Sequence, residues 1–182
     1  MLPKRKKLRL SKYDYSSSGS YFITICTYNN CNLFWTNGSL NGFGKIVESE
    51  VEKIGERYWD VKVDKYIVMP NHIHMLITIG CDALPDDEEI LLQETLGEIK
   101  HSSLEKIIGL FKSGVTREIH CINNELIVWQ RSYFDHIIRN EKDYNETWDY
   151  IEANPIRWEI KNGSFRAGQD PAPTAKMDAE KP

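Results

Sequence analysis

Apolar positions recur along this chain with two periods, and the changes of period mark its elements. Tyr21-Phe22-Ile23-Thr24-Ile25-Cys26-Thr27 is a run of aromatic and β-branched residues entered through Gly19-Ser20, which predicts a first strand. Asn29 to Trp35 is irregular, and Asn37-Gly38 and Asn41-Gly42 mark turns. Between Lys45 and Trp59, Ile46, Val47, Val51 and Ile54 return at helical spacing, followed by Tyr58. That spacing predicts an amphipathic helix packed on a sheet. Val61 to Val68 alternates and then turns wholly apolar, a second strand. Met69-Pro70-Asn71 breaks it, and His72 to Ile79 resumes as a third strand, antiparallel to the second.

Residues 80–98 change character: Asp82, Asp86, Asp87, Glu88 and Glu89 surround Pro85 and read as a solvated loop. Ser102 or Ser103 caps a helix from Leu104 to about His120, with Leu104, Ile107, Ile108, Phe111 and Val115 on one face. Asn123-Asn124 turns the chain. Leu126 to Gln130 predicts a short strand, and Tyr133, Phe134, His136, Ile137 and Ile138 an aromatic-rich turn or short helix. Glu141 to about Asn154 predicts a last helix that Pro155 stops, because the residue before a proline avoids helical geometry. The order β-α-β-β-α-β followed by a helix suits an α+β, ferredoxin-like fold, an antiparallel sheet with helices packed on one face. One domain over residues 19–160 is expected, between a basic arm at 1–18 and a Gly-, Pro- and Ala-rich disordered tail at 161–182.

Composition narrows the class without choosing a function. With 182 residues, 41% hydrophobic and 27% charged, the chain is long enough for a proper core and polar enough for a globular protein in water. No apolar run approaches the roughly 20 residues of a membrane span. Lys4, Arg5, Lys6, Lys7 and Arg9 are not followed by an apolar segment, so they do not read as a secretory signal. They fit a solvated tail or an arm touching phosphates equally well. Cys26, Cys31, Cys81 and Cys121 form no regular framework, which points to reduced thiols and a cytoplasmic setting. The net charge of -4 counts mildly against a protein that coats nucleic acid.

The chemistry concentrates at His72 and His74. Residues i and i+2 of a strand share a face, so the two imidazoles lie side by side, roughly 6–7 Å apart at their Cα atoms. That spacing serves two ligands of one metal ion, and it equally serves two half-buried structural histidines. Tyr150 and Asn154 stand four apart on the last helix and share its face. An asparagine amide oxygen suits a hard cation such as Mg²⁺. A phenol, with a pKa of about 10 in water, attacks phosphorus once its proton is taken. Taken alone, a core aromatic at Tyr150 and a cap beside Pro155 at Asn154 are the simpler readings.

Longer segments add a resemblance. Tyr66-Ile-Val-Met-Pro-Asn-His-Ile-His74, Val128-Trp-Gln-Arg-Ser-Tyr-Phe-Asp-His-Ile-Ile-Arg-Asn-Glu141 and Asp149-Tyr-Ile-Glu-Ala-Asn-Pro-Ile-Arg-Trp158 resemble the single-tyrosine HUH transposases of the insertion-sequence type. They look most like the REP-associated tyrosine transposases. Arg9 to Tyr15, Gly19 to Thr24 and Phe111 to Arg117 are similar too, so the resemblance covers roughly residues 5–160. It implies a metal-dependent transposase that nicks and rejoins single-stranded or hairpin DNA. His72, His74 and Asn154 would bind Mg²⁺ or Mn²⁺, and Tyr150 would form a 5′-phosphotyrosine link. It also implies a monomer or a homodimer. Insertion-sequence relatives usually carry Gln at the amide position, one methylene longer than Asn154. For DNA contacts, Lys112, Arg117, Arg131 and Arg139 are candidates at phosphates, and Tyr133 and Phe134 at unpaired bases. A solvated face and core packing account for these residues as well. Two other functions compete: a non-catalytic nucleic-acid-binding module on the same sheet, and a metal hydrolase using water in place of Tyr150.

Overall fold

The chain is described by a computed structural model over residues 18–80 and 102–161. The predicted arm to residue 17, the acidic stretch from 81 and the tail from 162 lie outside these residues. The element order is β1 (Gly19–Cys26), β2 (Trp35–Thr36), β3 (Ser39–Leu40), α1 (Gly42–Arg57), β4 (Val61–Met69), β5 (His72–Ile79), α2 (Leu104–His120), β6 (Phe134–Ile137) and α3 (Glu141–Lys161). Four strands form one sheet in the order β4-β5-β1-β6, antiparallel at every step. The predicted α+β, ferredoxin-like order is the one observed.

Alternation along the central strands gives the sheet two different faces. Tyr21, Ile23 and Ile25 of β1 join Ile73, Met75, Ile77 and Ile79 of β5 in one core, with Val47, Val51 and Ile54 of α1 and Ile107, Ile108, Phe111 and Val115 of α2. Each such side chain stabilises the fold by about 1.5–3 kcal/mol on burial. Phe22 and Leu76 point the other way and meet α3, where Ile151 packs with Ile67 and Met69. The shift of register between Val63 and Lys65 lets β4 serve both cores. One extra residue there turns Val61 and Val63 inward, then Tyr66 and Val68, and leaves Ile67 and Met69 for α3.

Four expectations need correction. Leu126–Gln130 is not a strand: only Trp129 bridges, to Thr27, although Val128 and Trp129 are buried. The ladder resumes with Phe134 opposite Thr24, so five residues on this side span three on β1, and the two extra residues break the strand. Phe134 to Ile137, expected as a turn or short helix, is therefore the edge strand β6. The last helix does not stop at Pro155 but runs on to Lys161. An interior proline costs about 3 kcal/mol; burial of Trp158 against the Ile151 cluster, beyond the proline, offsets part of it. The turn expected at Asn37-Gly38 is present: both take positive φ, 53° and 79°, at the tip of the β2-β3 hairpin. Finally, Asn41 caps α1 by accepting from Gly44 N at 3.0 Å, so the helix starts at Gly42, three residues before the predicted Lys45.

Candidate active site on the α3 face

His72 and His74 both leave β5 on the face that α3 covers. Their Nε2 atoms stand 3.1 Å apart and their ring centres 4.5 Å apart. Each ring is held from behind. Asn71 Oδ1 lies 2.7 Å from His72 Nδ1, and Thr24 Oγ1 lies 2.9 Å from His74 Nδ1. Thr24 can do this because β1 and β5 pair Thr24 with His74. When Asn71 Oδ1 and Thr24 Oγ1 both accept from the Nδ1 N–H groups, the two Nε2 lone pairs aim into one space. Burial pushes the His72 imidazole down to about 4. Burial, and then the neighbouring His72, push His74 down to about 3. Both rings are therefore neutral near pH 7, the form that ligates metals.

α3 brings Tyr150 to this pair. Its ring meets the His74 ring edge-on at 5.4 Å and the Phe22 ring at 5.8 Å, and the residue stays 38% exposed. One turn on, Asn154 is only 7% exposed, and no hydrogen bond engages its amide among the described residues. Trp158 closes the far side, 5.9 Å from His72 between ring centres. Tyr144 is placed quite differently. Burial, then the Asp64 carboxylate it bonds to, push its phenol up to about 12. Among the described residues no three His, Cys, Asp or Glu side chains converge as a metal cluster. An ion here would rest on two imidazoles, an amide and oxygens from outside the protein.

The predicted DNA contacts separate. Phe134 lies opposite Thr24 on the histidine face and is 52% exposed. Tyr133 is buried in the main core, so its ring is spent on packing and is not offered to a base. Lys112 is half-buried and donates to Gln130 O at 2.6 Å and Ser132 O at 3.3 Å, which fixes the broken strand and leaves the amine little free reach. Arg117 and Arg131 are exposed along an open groove of about 740 Å³ beside α2, whose lining does not include the histidines. Arg139 is exposed just before α3. Thr24, Asn71, Arg157 and Trp158 were not singled out in the sequence. Asn71 adjoins His72, but the role of Thr24 depends on strand register, and those of Arg157 and Trp158 on the helix continuing past Pro155.

Sheet and site together define a class: a ferredoxin-like protein with paired histidines on a central strand and a helix-borne tyrosine laid against them. No family model matches the chain. An uncharacterized protein of Haemophilus influenzae strain Rd is 36% identical over 163 residues, 85% of this chain and 90% of that one. The REP-associated tyrosine transposase of Escherichia coli strain K12 is 23% identical over 143 residues, 79% of this chain and 70% of that one. A solved REP-associated tyrosine transposase bound to a REP hairpin superposes with a TM-score of 0.56 at 18% identity, covering 95% of this chain and 97% of that one, and so shares the fold. The chain is thus similar to REP-associated tyrosine transposases in sequence, at 23–24% identity, and to a solved one in fold. Among the described residues, no helix is long and apolar enough to cross a membrane.

Proposed function

We propose that this protein cuts and rejoins single-stranded DNA through a covalent link between Tyr150 and a 5′-phosphate, with Mg²⁺ or Mn²⁺ held by His72, His74 and Asn154. The observation that carries the reading is the exposed Tyr150 phenol packed against His74, whose Nε2 faces that of His72 at 3.1 Å. The donor set fits a divalent ion. An octahedron with bonds of about 2.1 Å has edges of about 3 Å, close to that separation. Without a cation, one Nε2 carries a proton shared with the other ring, and Thr24 Oγ1 can then donate to His74 Nδ1 while Asn71 Oδ1 accepts from His72 Nδ1. The unengaged, buried Asn154 amide is a third donor of the neutral kind such an ion accepts.

When bound, the ion supplies Lewis acidity at a non-bridging phosphate oxygen. The protein's own part is positioning and attack. Tyr150 Oη bonds to phosphorus and loses its proton to solvent. The bond from phosphorus to the 3′-oxygen breaks, and that oxygen leaves as a hydroxyl after taking up a proton. The new phosphotyrosine keeps the energy of the original diester, so another strand's 3′-hydroxyl can displace Tyr150 and rejoin the DNA. No nucleotide triphosphate is required. Phe134 offers a stacking face beside Thr24, and Arg117, Arg131 and Arg139 offer phosphate contacts. The family, and the REP hairpin bound by the structural neighbour, support hairpin DNA as the substrate.

The test is direct. Protein, Mn²⁺ and a single-stranded oligonucleotide carrying the gene's flanking repeat are expected to give a denaturation-resistant adduct that maps to Tyr150. Tyr150→Phe removes one oxygen and is expected to abolish the adduct while DNA binding survives. Cleavage without an adduct refutes the reading in favour of a hydrolase; binding without cleavage refutes it in favour of a recognition module.

A further inference from the structure

One neighbour of the Tyr150 ring has no part in that scheme. Arg157, two turns further along α3, sets its guanidinium carbon 5.4 Å from the Tyr150 ring centre. The residue is exposed, and no carboxylate pairs with it among the described residues. The nearby lysines of β4 are committed elsewhere. Lys65 lies over Trp148 at 4.6 Å and reaches Glu152 at 3.4 Å, and Lys62 pairs with Asp64 at 3.3 Å. No other cation lies over the Tyr150 ring among the described residues.

Stability does not account for this placement. An exposed cation over a ring gains about 0.5–1 kcal/mol. Fixing an arginine side chain costs up to about 2 kcal/mol of rotamer entropy. Free in water, the pair gains nothing to hold it. A charged third party changes that balance. A guanidinium presents parallel N–H donors that match two oxygens of one phosphate. Attack by a phenol on a phosphodiester needs the phosphorus within about 3–3.5 Å of the phenolic oxygen. A cation already over that ring is within reach of the same phosphate's free oxygens.

We propose that Arg157 is a phosphate clamp for single-stranded DNA, its guanidinium holding the non-bridging oxygens of the phosphodiester that Tyr150 attacks. The inference rests on the function proposed above and names a catalytic residue within it. Arg157 makes and breaks no covalent bond. It neutralises charge that grows on those oxygens as the phosphorus gains its fifth ligand, and it fixes the phosphate in line with Tyr150.

The experiment has two arms. In the Tyr150→Phe background, binding of the single-stranded flanking-repeat oligonucleotide is measured across a range of salt. Arg157→Gln is expected to reduce the slope of log affinity against log salt by about 0.7, the value for one phosphate contact on a single strand. Arg157→Lys is expected to keep the slope, since it keeps the charge. With Tyr150 intact, Arg157→Gln is expected to slow adduct formation about 100-fold or more, and Arg157→Lys to recover only part of the rate because it lacks the fork. Thermal melts check that each variant folds. An unchanged slope together with a normal adduct rate overturns the clamp and leaves the Tyr150 chemistry standing. No adduct in the parent protein overturns the Tyr150 chemistry, and the clamp with it. A helix-packing role for Arg157 would shift the melt and leave the salt slope where it was.

Discussion

Gly114→Ala sets two well-known effects of opposite sign against each other in the layer behind the sheet. Gly114 of α2 faces Glu50 of α1, and a Cβ added to it would sit on Glu50 Oε2 and come within 2.8 Å of Cδ. Glu50 is wholly buried. Lys53 Nζ donates to its Oε1 at 2.6 Å and Arg57 Nη2 to its Oε2 at 3.1 Å, while Lys53 also reaches Glu118 of α2 at 2.8 Å. Burial alone would raise the Glu50 carboxyl, but the hydrogen bonds from Lys53 and then Arg57 outweigh it and hold the group below its usual value. The carboxylate therefore cannot swing away freely.

In an unconstrained helix, Gly→Ala stabilises by about 0.8–1 kcal/mol. Here the methyl displaces Oε2 from Arg57. That forfeits a hydrogen bond to a charged group, about 1.5–3 kcal/mol, and strains a packed interface by about 1–3 kcal/mol. The loss exceeds the gain, and Gly114→Ala is expected to destabilise by about 1.5–5 kcal/mol. For a chain of this size each kcal/mol moves the melting temperature by about 2–4 °C. Urea titration and calorimetry at pH 7 measure both quantities. A double-mutant cycle supplies the control: in a Glu50→Ala background the added methyl has room, and Gly114→Ala is expected to regain its helical advantage. The native Glu50 pKa is lowered, so this cluster contributes fully above the unfolded value of about 4.3, and its contribution is lost as pH falls through the lower native value. A Gly114→Ala protein as stable as the parent, or more so, would falsify the packing argument.

Three further outcomes are expected. Thr24→Val keeps the shape of the side chain but removes the oxygen 2.9 Å from His74 Nδ1. Mn²⁺ affinity measured by calorimetry is expected to weaken about 10–100-fold, and equal affinity would show that Thr24 does not orient the ring. Metal-free stability is expected to fall on acidification between about pH 6.5 and 4, because the unfolded chain takes up protons there while His72 and His74, held down to about 4 and about 3, do not. His72→Gln/His74→Gln is expected to flatten that slope in urea titrations, and a slope that persists would place its origin elsewhere. Tyr144→Phe is expected to leave adduct formation intact while losing about 0.5–1.5 kcal/mol with the Asp64 hydrogen bond; loss of the adduct would move the nucleophile to Tyr144.

The legible parts of this chain were those whose period is carried by many residues. His72–Ile79 and Leu104–His120 came out with the bounds read from the sequence, because alternation on β5 and the apolar stripe on α2 each leave one consistent register. The shared face of His72 and His74 followed from the period of β5, whereas Tyr150 was tied to them by the resemblance, since spacing alone left a core aromatic as the simpler reading. What failed depended on tertiary context. Val128-Trp129 carries the same local signal as a strand, but the two extra residues that interrupt its ladder show only against β1. Pro155 carries the signal of a helix end, and packing of Trp158 beyond it decides otherwise. Thr24 reads as one more strand residue until its register sets it behind His74.

The two faces of the sheet divide the work, and the position of the site follows from the difference. The α1–α2 side buries the bulk of the aliphatic and aromatic core, including Phe34, Phe111 and Trp129. The α3 side holds a far smaller cluster of four buried residues, Ile67, Met69, Leu76 and Ile151, rimmed by aromatics that are only partly covered. A second full helical layer would bury Tyr150 and exclude any strand of DNA. No layer at all would leave the histidines in water, with ordinary pKa values and nothing to fix their rings. One helix, anchored by Ile151 and Trp158 and open at Tyr150, meets both demands. His74 is 5% exposed and stays neutral, while Tyr150, touching it, remains 38% exposed. The proline inside α3 fits the same logic: the turn it disturbs carries Asn154, and the turn beyond it delivers Arg157 and Trp158 to either side of the site.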